Sequence, residues 1–216
     1  MSTVKTDAIE TQAGGTSVLT IGTAAQTIKL LGGSPGADKV LTSDATGGAT
    51  WVAAAGGLFS AYAIICDQKT AGTAGGAFTA GAWETRDLNT EITDTSGMVV
   101  ISSDQFTLGV GNYLVKWSAP ACQVQEHQTR LYDVTGAAVI ISGSSENAEN
   151  NAAGYVGTQN QVTIKSTGFA RVTPSGDNIY RIEHRCASTR ATHGFGMAAN
   201  LSELERYTMV EIYKEA

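Results

Sequence analysis

GNYLVKWSAPA (Gly111–Ala121) sets the reading of this chain. Its alternate residues Tyr113, Val115, Trp117 and Ala119 form one largely apolar face, with Leu114, Lys116 and Ser118 between them. A period of two is the pattern of a β-strand that buries one face. The second face is only half polar, so it too needs partial cover.

Similar runs lie on either side. FSAYAIICDQ, WETRDLN, MVVISSDQFTL, EHQTRLYDV, AAVIISGS, QNQVTIKS, NIYRIEHRC and RYTMVEIYK all read as strands. The stretches between them, TAGTAGGAFTAG, DTSG, VTG, ENAENNAAG and TPSGDN, are rich in turn formers. About eight or nine short strands at fairly even spacing predict an all-β sandwich or jelly roll. The composition agrees, since 25 glycines and only 16% charged residues in 216 argue against long helices.

A net charge of −6 disfavours a nucleic-acid partner, because phosphate backbones are bound chiefly through Lys and Arg. The opening MSTVKTDAIETQAGG lacks a basic start followed by an apolar stretch, so no secretory signal is expected. Spanning a bilayer takes about 20 apolar residues, and no run approaches that, so no membrane insertion is expected. Synthesis in a cytoplasm and a soluble product follow as expectations. The three cysteines, Cys66, Cys122 and Cys186, sit in or beside apolar runs and read as buried free thiols.

Residues 1–58 and 59–216 differ in character. The first part is glycine-rich, with Trp51 as its aromatic residue and only brief apolar runs. Such a segment cannot close a core by itself. It reads as an anchor, stalk and linker that orders on assembly, with disorder as the competing reading. The second part carries the strands.

Within that head the faces differ. In NIYRIEHRC, Tyr180, Ile182 and Cys186 are expected inside, with Arg181, Glu183 and Arg185 outside in a charged ladder. In QNQVTIKS, Val162 and Ile164 are expected inside. The first and last strands, AYAIIC and RYTMVEIYK, are apolar on both sides. One side needs the opposite sheet and the other needs cover from elsewhere, which a cyclic oligomer supplies. The expected interface residues are Tyr62, Ile65, Val210 and Ile212, with Arg86 and Arg185 as interface or inter-sheet polar contacts. Cover by a loop of the same chain, and solvated strand faces for the arginines, remain as alternatives.

Catalytic motifs are missing. There is no G-x-S-x-G elbow, no H-E-x-x-H and no lysine-bearing phosphate loop. GTAGGAFTAG (Gly72–Gly81) reads as a flexible surface loop. Ser188, His184 and Asp133 make a triad on paper, with nothing to bring them together. Cys122 with His127, or Cys186 with His184, supplies too few ligands for structural zinc. No enzyme activity, cofactor or metal is expected. The polar loop GSSENAENNAAGY (Gly143–Tyr155) offers Glu146, Asn147, Glu149 and Asn150 for sugar hydroxyls or Ca²⁺, with Tyr155 as a stacking surface, though it lacks calcium-loop spacing. A plain solvated loop is the alternative.

Two sets of residues carry a resemblance. PGADKVLTSDATGGATW (Pro35–Trp51) resembles a segment that recurs in fibre proteins of tailed bacteriophages, ahead of a globular head. AWETRDLNT, GNYLVKWSAPA, HQTRLYDVTG, SGSSE, EHRCASTRATHGFGMAAN and VEIYK are similar to the C-terminal domain of many phage fibre and virion proteins. That domain in turn resembles the trimeric jelly roll of the tumour-necrosis-factor and complement-head superfamily. The resemblance implies a homotrimer with the first and last strands beside the threefold axis. It also implies a virion location, with residues 1–58 docked on other virion proteins and the head contacting the host surface, possible host glycans included. The chain has little shaft and no coiled-coil heptads. A head or neck fibre, or a decoration (cement) protein with a purely structural role, is therefore the alternative.

Overall fold

A computed structural model of the chain describes residues 36–43, 45, 48–54, 56–148 and 162–216. The chain divides into two compact units, one ending at Ala55 and one running from Gly56 to Ala216. Residues 1–35, most of the expected anchor, lie outside the described residues. In the first unit, β1 (Lys39–Ser43) and β2 (Ala49–Ala53) form an antiparallel ribbon with Leu41 opposite Trp51. Its strand residues are exposed apart from half-buried Trp51. A lone two-stranded ribbon has no second layer to bury a face against.

The second unit holds β3 (Phe59–Lys69), β4 (Glu84–Thr85), β5 (Thr90–Asp94), β6 (Val99–Ser102), β7 (Gln105–Leu108) and β8 (Tyr113–Cys122). It continues with β9 (Gln125–Asp133), β10 (Ala138–Ala148), β11 (Thr163–Val172), β12 (Asn178–Cys186) and β13 (Glu205–Glu215). One sheet has the order β11-β8-β13-β3-β5 and the other β10-β9-β12-β7-β6, with β4 also on β12. Their strand pairs are antiparallel. The chain changes sheet at each step from β3 to β6, from β7 to β9 and from β10 to β13, while β3 and β13 lie side by side. This all-β sandwich is a jelly roll.

Four segments depart from the sequence reading. MVVISSDQFTL is a hairpin, β6 and β7, because Ser103 (φ 53°) and Asp104 (φ 60°) take the left-handed conformations of a two-residue turn. WETRDLN pairs only at Glu84–Thr85, after which Arg86 enters the interior. TEITD, with no apolar alternation, forms edge strand β5. GTAGGAFTAG is held rather than flexible: Phe78 is fully buried, and its backbone exchanges two hydrogen bonds with Arg190.

The core lies between the sheets. Ala63, Ile65, Tyr113, Val115, Trp117, Val210 and Ile212 from one sheet meet Phe106, Leu108, Leu131, Tyr180 and Ile182 from the other. Register explains the arrangement. Val210 pairs with both Ile65 and Trp117, and Ile212 with both Ala63 and Val115, so all lie on the inward face of the sheet with Tyr113 of β8. Ile65, Val210 and Ile212 are therefore core residues of a single chain and not interface residues; each is wholly inaccessible to solvent. Each contributes about 1.5–3 kcal/mol by burial. Val162 stays exposed and Ile164 is half-buried, short of the interior positions expected for them.

Trp117 ties the two layers together. Its Nε1 donates to Thr129 Oγ1 of β9 at 2.8 Å. Its cross-strand partner is Gly168, where an added Cβ would lie 2.1 Å from Trp117 Cζ2. The indole thus occupies the space that any side chain at 168 would need.

Candidate functional site

A cleft of about 950 Å³ opens beside β9, β10 and β12. Register builds it. β9 sets Gln128 between Ser145 of β10 and Arg185 of β12, and sets Glu126 opposite Asn147. Trp83, just ahead of β4, closes one side, and Glu146 and His127 also line the cleft. The lining therefore combines an aromatic ring, two carboxylates, two amides, a hydroxyl and a guanidinium.

The wall behind Trp83 is a charged ladder. The Arg130 guanidinium lies over the Trp83 ring, 4.1 Å from its centroid, and Arg181 lies 4.8 Å from that of Tyr132. Glu183 sits between the two arginines, only 2% exposed, and accepts hydrogen bonds from both. The sequence places Arg181, Glu183 and Arg185 on one outward face. The structure shows that this face covers Glu183 with its own arginines, which a buried carboxylate requires.

Beneath the cleft the sandwich end is polar inside. His127 Nδ1 and His184 Nε2 are 2.9 Å apart, and Phe78 rests against the His184 ring. Burial pushes the His127 imidazole down from 6.5 to about 4, with Glu146 opposing that shift and Arg86 adding to it. His184 falls well below 6.5 for the same first reason, with Arg86 and His127 adding to it. Both rings are thus neutral near pH 7. Arg86 is wholly buried. It donates from Nε to Thr208 Oγ1 at 2.8 Å and from Nη2 to the Phe195 carbonyl at 2.9 Å, and lies over the Phe195 ring. Desolvation pushes Arg86 down to about 10, against the raising effect of Asp67, Asp87 and Glu84. Among the described residues, His127 Nε2, His184 Nδ1, Arg86 Nη1 and Asp67 Oδ2 are buried without a hydrogen-bond partner.

The residues expected to share one interface separate. Arg86 is an inter-sheet contact inside a single chain, too deep to reach a sister copy. Arg185 is exposed and lines the cleft on the opposite sheet. Tyr62, 44% exposed, is the one member of that set on the outer face of the five-stranded sheet. Of the expected receptor loop, Glu146 and Asn147 line the cleft, while Glu149, Asn150 and Tyr155 lie outside the described residues. The paper triad does not form: Ser188 Oγ bonds Gln125, Asp133 accepts from Asn178, and His184 pairs with His127. Among the described residues, no group of three or more His, Cys, Asp or Glu could hold a metal ion. All three cysteines are free and buried.

The outer face of the five-stranded sheet is a second feature. Across it run Arg171, Leu114, Tyr213 and Tyr62 in one row, and Phe169, Lys116, Glu211 and Ile64 in the next. Phe169 is 70% exposed, and Phe59 touches the Tyr213 ring. Lys116 pairs with Glu211 at 3.0 Å, and the Tyr213 hydroxyl donates to the same carboxylate at 2.7 Å. These two partners, Tyr213 first, hold the Glu211 carboxyl below its ordinary range. At the adjoining edge, β10 exposes Val139, Ile140 and Ile141 in succession.

No protein-family model matches the chain, and no curated protein matches it. Among solved structures it is similar to the globular domain of zebrafish complement 1qA protein at 14% identity. That match covers 72% of this chain and 95% of the other, with a TM-score of 0.41. It is also similar to murine APRIL, at 7% identity over 71% of this chain and 98% of that one, with a TM-score of 0.44. The class of protein is set by the strand order and register: an all-β jelly roll.

Proposed function

We propose that this protein is a trimeric fibre component of a bacteriophage virion, anchored through residues 1–58, whose jelly-roll head contacts the host cell surface. The supporting observation is the outer face of the five-stranded sheet. Tyr62, Ile64, Leu114, Phe169 and Tyr213 share it, and the β10 edge presents a different apolar strip. Two unlike patches on one molecule suit a head-to-tail contact that closes into a ring, the edge of each copy seated on the face of the next. The resemblance of KVLTSDATGGATW and of the head motifs to phage fibre proteins supplies the virion setting. The expected homotrimer is kept, with Tyr62 and its row replacing the core residues first expected to hold it together.

Sedimentation of the full chain over a range of loadings tests the assembly, a trimer mass at all but the lowest being expected. A monomer at every loading would overturn it. Epitope-tagged copies located on intact particles test the setting. Tail or fibre-tip position with loss of adsorption on removal supports host contact, and label confined to the capsid wall with normal adsorption overturns it.

A further inference from the structure

We infer that the cleft beside β9, β10 and β12 is a saccharide site that takes an uncharged pyranose through Trp83, Glu146, Asn147 and Arg185. The inference rests on the reading of the head as a host-contacting module and names the ligand class for it. Size comes first, since about 950 Å³ is ample for a sugar ring or two. Chemistry follows. A pyranose offers vicinal hydroxyls, each donor and acceptor, and one apolar C–H face. Glu146 supplies acceptors, Arg185 supplies donors and Asn147 supplies both, so neighbouring hydroxyls find complementary partners. Trp83 is braced on its Arg130 side, and the rest of the indole lines the cleft as an apolar surface.

Two further observations favour a ligand over a merely solvated groove. His127 lines the cleft and is only 4% exposed, yet its Nε2 has no partner among the described residues. That nitrogen is itself covered, so a small shift of the ring must bring it to the cleft, where a ligand hydroxyl satisfies it in either tautomer of the His127–His184 pair because a hydroxyl donates and accepts. The groups that shape the cleft are also set in advance. Trp83 and Arg130 stack, Arg130 is held by Glu183, and Gln128 Nε2 donates to the Gly143 carbonyl and to Ser145 Oγ. Trp83 and Gln128 therefore need little further ordering on binding. Glu126 and Glu146 outnumber Arg185 along the lining, and His127 is neutral. The cleft thus repels acidic sugars and accepts uncharged ones.

The test is titration of the full-length protein with methyl β-glucoside, methyl β-galactoside, N-acetylglucosamine and glucuronate. Binding is read by saturation-transfer NMR and by tryptophan emission. At least one uncharged sugar should bind with a dissociation constant of about 1–10 mM, and glucuronate more weakly. Glu146→Ala and Asn147→Ala, on exposed or half-exposed positions, should each weaken binding by about tenfold, and Trp83→Ala by more. Leu201→Ser, at an exposed position that neither lines the cleft nor belongs to the outer face of the five-stranded sheet, should leave it unchanged. Two results overturn the inference: no uncharged sugar binding at about 50 mM, or binding that survives both Trp83→Ala and Glu146→Ala. Glucuronate preferred over every uncharged sugar would overturn the ligand class. A trimeric virion fibre that binds no sugar would sink this inference alone, and a sugar-binding monomer would sink the assembly alone.

Discussion

His127 Nδ1 lies 2.9 Å from His184 Nε2, inside a sandwich end that also buries the Arg86 guanidinium. One ring donates and the other accepts, so the acceptor must be neutral, and a proton added to either ring meets Arg86 and a dry surrounding, which keeps both neutral. Glu146 alone acts against this at His127.

Stability should therefore fall as the pH drops. The folded-state value of His127 is about 4 against 6.5 for the free group, so the unfolded chain binds more protons between these values. The His127 contribution is whole above pH 6.5 and is lost progressively down to about 4, at up to about 1.4 kcal/mol per pH unit, and the lowered His184 acts in the same direction. Urea midpoints at pH 7.5, 6.0 and 5.0 measure it. The midpoint should decline, and His127→Gln should decline less. A flat profile over this range would contradict the buried neutral pair.

Charge placed on the two sides of β3 and β13 should separate folding from assembly. Val210→Asp puts an unpaired carboxylate in the core and should prevent folding, at a cost of several kcal/mol. Tyr62→Asp and Phe169→Asp alter the outer face, so circular dichroism should stay native while sedimentation shifts toward monomer. A folded Val210→Asp trimer would show that the inward face has been misassigned.

Arg86→Ala should be among the most damaging substitutions on the polar side of the fold. It strands the Thr208 hydroxyl and the Phe195 carbonyl, removes the cation from the Phe195 ring and leaves a void. A loss of about 3–5 kcal/mol in denaturant unfolding is expected. Arg86→Met, which fills more of the space, should cost less. Equal stability of Arg86→Ala and the parent would refute the role.

Gly168→Val should destabilise through Trp117. The Cβ collides with the indole at 2.1 Å, so the ring must leave its bond to Thr129. About 1–3 kcal/mol or more is expected, with a change in tryptophan emission. An unaltered thermal midpoint would mean that the strands part without cost.

The cysteines should be silent until the chain opens. Burial pushes Cys186 up to about 11 and raises Cys66, so little thiolate forms at pH 8. A chromogenic disulfide reagent should find no rapidly reacting thiol in native protein and three after denaturation. A fast native phase would expose one of them.

Alternation by itself determined much of this protein. Residues two apart share a face, so Tyr113, Val115 and Trp117 were legible as one side, and Tyr180, Ile182 and Cys186 as another, with turn formers marking the ends. It also put Tyr62 and Ile65 of β3 on opposite faces. It did not tell which face looks inward, because both are apolar. That was decided by pairing across β3, β13 and β8, where Val210 meets Trp117 and Ile212 meets Val115, a relation between strands nearly a hundred residues apart. The same holds for the cleft. Trp83, Glu126, Glu146 and Arg185 come from four segments with no common spacing, and only the sheet register brings them to one wall. Local period follows from backbone geometry and can be read along a chain, whereas facing and convergence arise from long-range pairing, which no local pattern encodes.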